Sequence, residues 1–150
     1  MQITFPSNTT ETIDEIRGAI GRNVSFYVLA NTEVCPNGCT LDPVTDTSTN
    51  SFCPVCSGNY YIYTYSGVSV SGHVFWNSSD LMQWPSAGFT FDGECRVQIK
   101  HTSTNLNMVD TCKYVVIDNK KMTIKSKAFR GVPNINRIIL YLDQEERDDE

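Results

Sequence analysis

The sequence lacks long hydrophobic runs, although 40% of its 150 residues are hydrophobic. No stretch approaches the roughly 20 apolar residues that a membrane-spanning helix needs, which argues against an integral membrane protein. Residues 1–6 have neither a basic region nor an apolar run, so we expect no secretory signal. The hydrophobic content is nevertheless enough for the core of one globular domain, and this excludes wholesale disorder.

Basic residues are missing from almost half of the chain, because residues 23–94 contain no Lys or Arg. Residues 96–137 then hold nine bases against two acids. The last eight residues, 143–150, hold six acids and one Arg, so they account for the formal net charge of −5. An acidic front, a basic back half and an acidic tail favour ordered stacking between subunits or with partners.

Recognisable catalytic motifs are also missing. The chain has no glycine-rich phosphate loop and no Gly-x-Ser-x-Gly elbow. Its two histidines, His73 and His101, stand in no catalytic motif, and His73 falls inside a predicted strand, where we expect a structural role. Asp92 and Glu94 are two residues apart, but such a carboxylate pair is common. We therefore predict that the protein is not an enzyme.

The elements that the sequence does predict are one short helix followed by short strands. Thr12 and Glu15 match a capping box, three isoleucines recur at helical spacing, and Gly21 can end the helix. A helix of about two turns is unstable alone, so it must dock on its own domain or on a neighbouring subunit.

Alternating and β-branched runs predict six or so strands, with a break at Ser66-Gly67 and a hairpin turn at Asp118-Asn119. The strands are expected at residues 24–28, 60–65, 68–76, 95–99, 113–117, 121–127 and 135–142. This pattern suits a β-barrel or a sandwich. We predict a mainly β fold: a small barrel of about six antiparallel strands over residues 1–142, a loop insertion at 31–58, and a solvated acidic tail at 143–150.

Four of the six cysteines lie in one polar segment, as Cys35-Pro-Asn-Gly-Cys39 and, thirteen residues later, Cys53-Pro-Val-Cys56. Two close pairs can supply four thiolates to one tetrahedral ion, and Zn²⁺ favours such an all-sulfur shell. We predict one Zn²⁺ per chain at these cysteines. A closed shell leaves no position for water, so this zinc would be structural and would hold together the 31–58 loop.

Other interpretations of the cysteines stay open. Three disulfides would suit a secreted β-domain, although the absent signal and the low cysteine fraction speak against them. Iron, or no metal, is a further alternative. Cys95 and Cys112 stand apart, and we expect them to be structural. A nucleic-acid-binding zinc ribbon is not expected, because phosphate contacts need Lys or Arg and this segment has none.

The cysteine segment resembles one in the neck proteins of tailed bacteriophages, the small head-completion or stopper proteins between portal and tail. The specific part of the resemblance is this segment, with Cys35-Pro36-Asn37, Asp42-Pro43-Val44-Thr45 and Ser48-Thr49-Asn50-Ser51-Phe52-Cys53-Pro54-Val55-Cys56-Ser57-Gly58. Residues 16–26 are similar to the family's N-terminal helix and first strand. Residues 115–122 resemble its closing hairpin, and residues 136–140 resemble its last strand.

The resemblance implies a non-enzymatic virion protein built as a small β-barrel. Such a protein assembles as a homo-oligomeric ring, a dodecamer, on the portal or adaptor, closes the head, retains the DNA and docks the tail proteins. Packaged DNA would pass through its channel without sequence-specific binding, and assembly would take place in the host cytoplasm, away from any membrane. The rival classes are a stand-alone zinc-ribbon adaptor outside the virion and a secreted disulfide-linked β-domain.

Overall fold

The computed structural model describes residues 4–76 and 95–144. In chain order its elements are α1 (Thr9–Ile20), β1 (Arg22–Val34), β2 (Leu41–Asp42), β3 (Thr47–Ser48), β4 (Tyr61–Trp76), β5 (Cys95–Lys100), α2 (Ser103–Thr111), β6 (Cys112–Ile117), β7 (Lys120–Arg130) and β8 (Arg137–Gln144). The chain divides into two compact units. The second unit, Val28–Ser66, is called the cysteine lobe below. Within 4–76 and 95–144, no helix combines the length and the apolar character needed to cross a membrane.

Six strands close into a barrel in the order β1-β4-β5-β8-β7-β6. This confirms the predicted fold class, a mainly β chain with a small antiparallel barrel behind an N-terminal helix. Alternate residues of each strand point inward. Val97 and Ile99 of β5 pair with Leu140 and Ile138 of β8, and all four side chains are fully buried. At these two strands the barrel core therefore consists of β-branched and aliphatic residues.

The N-terminal helix is present and ends at Ile20, but the predicted capping box is wrong. The helix begins at Thr9, because a turn at Pro6, whose carbonyl accepts from the Thr9 hydroxyl at 2.7 Å, starts it early. Thr12 therefore lies inside the helix, where its hydroxyl donates to the Asn8 carbonyl at 3.1 Å. The backbone of Gly21 is extended, so it is not a left-handed cap.

The predicted break at Ser66-Gly67 is also wrong, because β4 runs without interruption from Tyr61 to Trp76. A Cβ atom on Gly67 would lie 3.2 Å from the ring of Tyr27. That ring stacks on Tyr114 of β6 with a centroid distance of 4.6 Å. This glycine therefore permits a close approach of an aromatic ring within the sheet and does not mark a turn.

Helix α2 was not predicted at all. The Thr102 hydroxyl accepts a hydrogen bond from the Asn105 backbone N–H at 3.0 Å, which is a regular N-cap. Met108 and Val109 are the residues that this helix buries. With only two buried positions in nine residues, the hydrophobic pattern shows little helical periodicity, and the helix could not be recognised from the sequence.

The hairpin turn at Asp118-Asn119 is confirmed. Ile117 of β6 pairs with Lys120 of β7, and the two turn residues have φ values of 49° and 63°. Asn tolerates this left-handed conformation better than residues without a short polar side chain. We expect Asn119→Ala to lower the free energy of unfolding by about 1 kcal/mol. Urea denaturation measures the change.

The matched control for this prediction is Asn119→Gly, which adopts positive φ without strain and should be neutral or slightly stabilising. Equal stability of the two variants would contradict the stated role of the turn.

The acidic segment begins inside the last strand. Asp143 and Gln144 belong to β8. The Asp143 carboxylate forms an ion pair with Lys125, with 3.4 Å between Oδ2 and Nζ. The remainder of the predicted solvated tail lies outside the described residues, as do Asp92 and Glu94.

Candidate metal centre

The four predicted ligands sit on two tight turns of the cysteine lobe. Cys35 directly follows β1, and its backbone N–H donates to the Tyr60 carbonyl at 2.9 Å. Gly38 has a φ of +70°, which turns the chain back before Cys39. In the second pair, the Ser57 N–H donates to the Cys53 carbonyl at 2.9 Å. This compact turn, typical of a metal-binding knuckle, keeps Cys53 near Cys56.

The hairpin β2–β3 spans the residues between the two pairs of cysteines. Leu41 pairs with Ser48, and Asp42 pairs with Thr47. The Ser48 N–H then donates to the Gly58 carbonyl at 2.9 Å, which ties the hairpin to the second turn. Thirteen residues of polar loop are thereby ordered by backbone hydrogen bonds, and the two pairs of cysteines are brought together.

The four thiols form one compact cluster, called the four-cysteine cluster below. All four sulfur atoms lie within 4.8 Å of one another. The Cys35–Cys53 and Cys39–Cys56 Sγ–Sγ distances are both 3.8 Å. Four sulfurs placed 2.3 Å from a central Zn²⁺ form a tetrahedron with edges of about 3.8 Å. The spacing therefore fits a tetrahedral thiolate site, and it is almost twice the length of a disulfide bond.

The cluster is also the hydrophobic core of the cysteine lobe. Cys35, Cys53 and Cys56 are at most 5% exposed, and in this unit, which the structure describes in full, no other hydrophobic residue is buried. Cys39 and Ile62 pack against them. A unit with so little buried apolar surface has little hydrophobic stabilisation of its own. An ion bound by the four thiols would supply what the core lacks.

Hydrogen bonds favour the thiolate form, which a metal needs, at Cys53. The backbone N–H of Cys56 and the side chain of Asn37 lower the pKa of Cys53 to about 6. The Asn37 Nδ2 donates to the Cys53 Sγ at 3.5 Å. Burial, in contrast, raises the pKa of Cys35 to about 12. A bound cation would reverse this last effect, since it stabilises every thiolate around it.

All four predicted ligands thus lie in one place, but their supporting contacts were not predicted. Asn37 was noted only as part of a motif, and nothing in the sequence identifies it as a donor to Cys53. Its position became visible only when the first turn was placed against the second. Amide donors to metal-bound sulfur are part of the environment that orients and tunes such sites.

The other two cysteines lie outside the cluster, as expected. Cys95 begins β5 and is buried, and Cys112 links α2 to β6, where its Sγ donates to the Val109 carbonyl at 3.4 Å. Burial raises the pKa of Cys112, which suits an inert structural thiol. His73 pairs with Gln98 in the sheet, and His101 meets the ring of Phe129 edge-on at 5.8 Å.

Comparisons of the chain with models of protein families, with curated proteins and with solved structures find no match.

Proposed function

We propose that this protein is a structural subunit of the neck of a tailed bacteriophage and that its four-cysteine cluster holds one structural Zn²⁺. The subunit forms a ring between portal and tail, closes the filled head, retains the DNA and presents the surface on which the tail docks. The observation that carries the proposal is the four-cysteine cluster, because the segment that builds it is the specific part of the resemblance to phage neck proteins.

The donor set favours zinc and a structural role. Four cysteine sulfurs complete a tetrahedral shell, so substrate or water has no open coordination position. Iron accepts the same geometry, but its ferric form would colour the protein. Native mass spectrometry of protein purified without added metal should find one zinc per chain with all thiols reduced. Iron, or a mass lowered by disulfide formation, would contradict this assignment.

Asn37 offers a test of the site that leaves all four ligands in place. Asn37→Ala removes the amide that donates to Cys53 at 3.5 Å and so raises the pKa of that thiol from about 6. Because protons compete with the metal for the thiolate, zinc should be released at a higher pH than in the wild type. We expect about a 10–100-fold loss of zinc affinity, measured by competition with a chromogenic chelator.

The control for this variant is Asn59→Ala in the same lobe. The backbone N–H of Asn59 donates to the Cys56 carbonyl, and the substitution keeps that hydrogen bond because it changes only the side chain. Equal zinc affinity of both variants would rule out a contribution from the Asn37 amide.

The neck assignment draws on the architecture and on the charges. The resemblance implies a small barrel behind an N-terminal helix, and this chain has that architecture. Helix α1 leaves Ile16 and Ile20 more than half exposed, which suits a helix that meets a second protein. Residues 23–94 contain no Lys or Arg. In a ring, a channel wall built from this segment would offer no Lys or Arg to bind the phosphates of packaged DNA.

The decisive experiment is an amber mutation in this gene, in the phage that carries it. We expect filled heads that lose their DNA and accumulate without tails, and complementation from a plasmid should restore whole particles. Mass spectrometry of wild-type particles should also find the protein in the virion. Normal particles from the amber mutant, or absence of the protein from purified virions, would overturn the neck assignment.

A zinc-bearing adaptor outside the virion is the second candidate. One feature of the cysteine lobe favours it: Phe52 and Val44 are 94% and 90% exposed, as expected for side chains that contact another protein. An adaptor would be absent from purified particles and would leave the phage able to attach tails. The amber mutant therefore separates the two candidates directly.

A further inference from the structure

Three cations stand side by side across neighbouring strands of the barrel. Lys100 of β5 pairs with Arg137 of β8, and Arg137 pairs in turn with Arg130 of β7. Directly paired residues have side chains on the same face of a sheet. The adjacent Ile99 and Ile138 are fully buried, so the three cations project from the outer face. Lys100, Arg130 and Arg137 are called the cation row below.

The cation row is poorly neutralised within the chain. The carboxylate of Asp14 on α1 lies 2.8 Å from the Lys100 ammonium, but its other oxygen lies 2.8 Å from the Arg17 guanidinium. Among residues 4–76 and 95–144, no ion pair reaches Arg130 or Arg137. Like charges placed directly opposite one another destabilise a sheet. An anion bound at the row would relieve that cost.

The row differs in this respect from two lysines of β7. Lys125 pairs with Asp143 and Lys127 pairs with Asp110. These two lysines therefore have carboxylate partners inside the chain. Arg130, at the other end of the strand, has no carboxylate partner among the described residues.

The chain itself contains an anion of matching charge. Residues 145–150, which follow β8, hold five acids and one Arg, for a net charge of −4. A run of carboxylates suits the row because guanidinium groups bind carboxylates in bidentate fashion. An acidic peptide segment thus fits the row both in sign and in donor geometry.

The whole run of acids in this segment cannot lie along the cation row of its own chain. β8 begins at Arg137 and ends at Gln144, so the tail leaves the barrel about 23 Å from the row. Six residues span about 21 Å at most when fully extended, and the segment would also have to reverse its direction. At most its last carboxylate could approach the row through side-chain reach, so a row that binds the whole acidic run takes it from another molecule.

We propose that the cation row of one copy binds residues 145–150 of a second copy. The contact is heterologous, because it joins two different surfaces of the same chain, and such contacts close into a ring when repeated about an axis. The inference deepens the proposed function and rests on it, since it names the charge pairing through which the neck subunits associate.

The test is binding of a fluorescent synthetic peptide, residues 143–150, to the full-length protein, followed by fluorescence anisotropy. We expect saturable binding that weakens as salt rises. The double variant Arg130→Gln, Arg137→Gln should bind about tenfold more weakly. A peptide with its acids replaced by the corresponding amides should not bind. If the double variant does not fold, Arg130→Gln alone should still weaken binding about threefold.

The matched control is Lys113→Gln, Lys120→Gln, which removes the same total charge elsewhere on the barrel and should bind like the wild type. Equal weakening in both double variants would reduce the effect to net charge and overturn the proposal. The proposal would also be overturned if the wild-type protein does not bind the peptide, or if the cation row binds duplex DNA and not the peptide. Because the assay uses isolated protein, it can fail while the amber mutant still supports the neck assignment, and the reverse also holds.

Discussion

Removal of the proposed zinc should unfold the cysteine lobe. The lobe spans 39 residues, Val28–Ser66, and chains below about 40 residues rarely fold without a metal or disulfides. Structural zinc supplies about 10–16 kcal/mol in comparable small sites. We expect Cys53→Ser to lose the metal, and the backbone amides of Cys35, Ser48 and Ser57 to lose their protection from hydrogen exchange. Hydrogen exchange of these amides, measured by mass spectrometry with and without a chelator, tests this expectation.

The control is Cys112→Ser, which removes a thiol outside the four-cysteine cluster and should keep both the zinc and the protection of these three amides. Amides of the barrel strands, such as Val97 and Leu140, should stay protected in both variants. Unchanged protection of the lobe after complete zinc removal would contradict the structural role of the metal.

The barrel could be predicted because its strands follow a simple rule of alternation. In β5 and β8 every second residue is apolar and buried, and the turn at Asp118-Asn119 has the residues that positive φ requires. The errors arose where a residue has more than one physical role. Gly67 resembled a strand break, yet it accommodates the ring of Tyr27, a contact that only the folded sheet creates.

The capping box failed for a related reason. Thr12 and Glu15 have the right spacing, but the turn at Pro6 starts the helix one turn earlier, and a threonine inside a helix donates to the preceding turn. Local motifs compete with one another, and the sequence pattern does not say which one prevails. Helix α2 was missed because its stability comes from the burial of Met108 and Val109 and little from its own periodicity.

The ligands of the candidate site were predictable, whereas their environment was not. Two cysteines at short spacing lie on one turn of the chain, so their sulfur atoms are close together whatever the rest of the fold is. The Asn37 amide and the cation row depend on segments that are distant in sequence and meet only in the fold. The row in particular joins β5, β7 and β8, and its strand register cannot be inferred from composition.

Truncation of Phe26 should remove a large part of the stability of the barrel. Phe26 lies in β1 and is completely buried. Phe→Ala at such a position removes the transfer free energy of the ring and leaves a cavity, at a cost of about 3–5 kcal/mol. Since domains of this size are stable by only about 5–15 kcal/mol, the variant loses between about a fifth and all of that stability. Urea denaturation of zinc-loaded protein, followed by circular dichroism, measures the loss.

Phe52→Ala is the matched control for this prediction, because it is the same substitution at a side chain that is 94% exposed. It should change the free energy of unfolding by no more than about 0.5 kcal/mol. The comparison isolates burial, since the chemistry of the change is identical and only the environment differs. A cost below about 1 kcal/mol for Phe26→Ala, or equal costs at the two positions, would contradict the assignment of Phe26 to the barrel core.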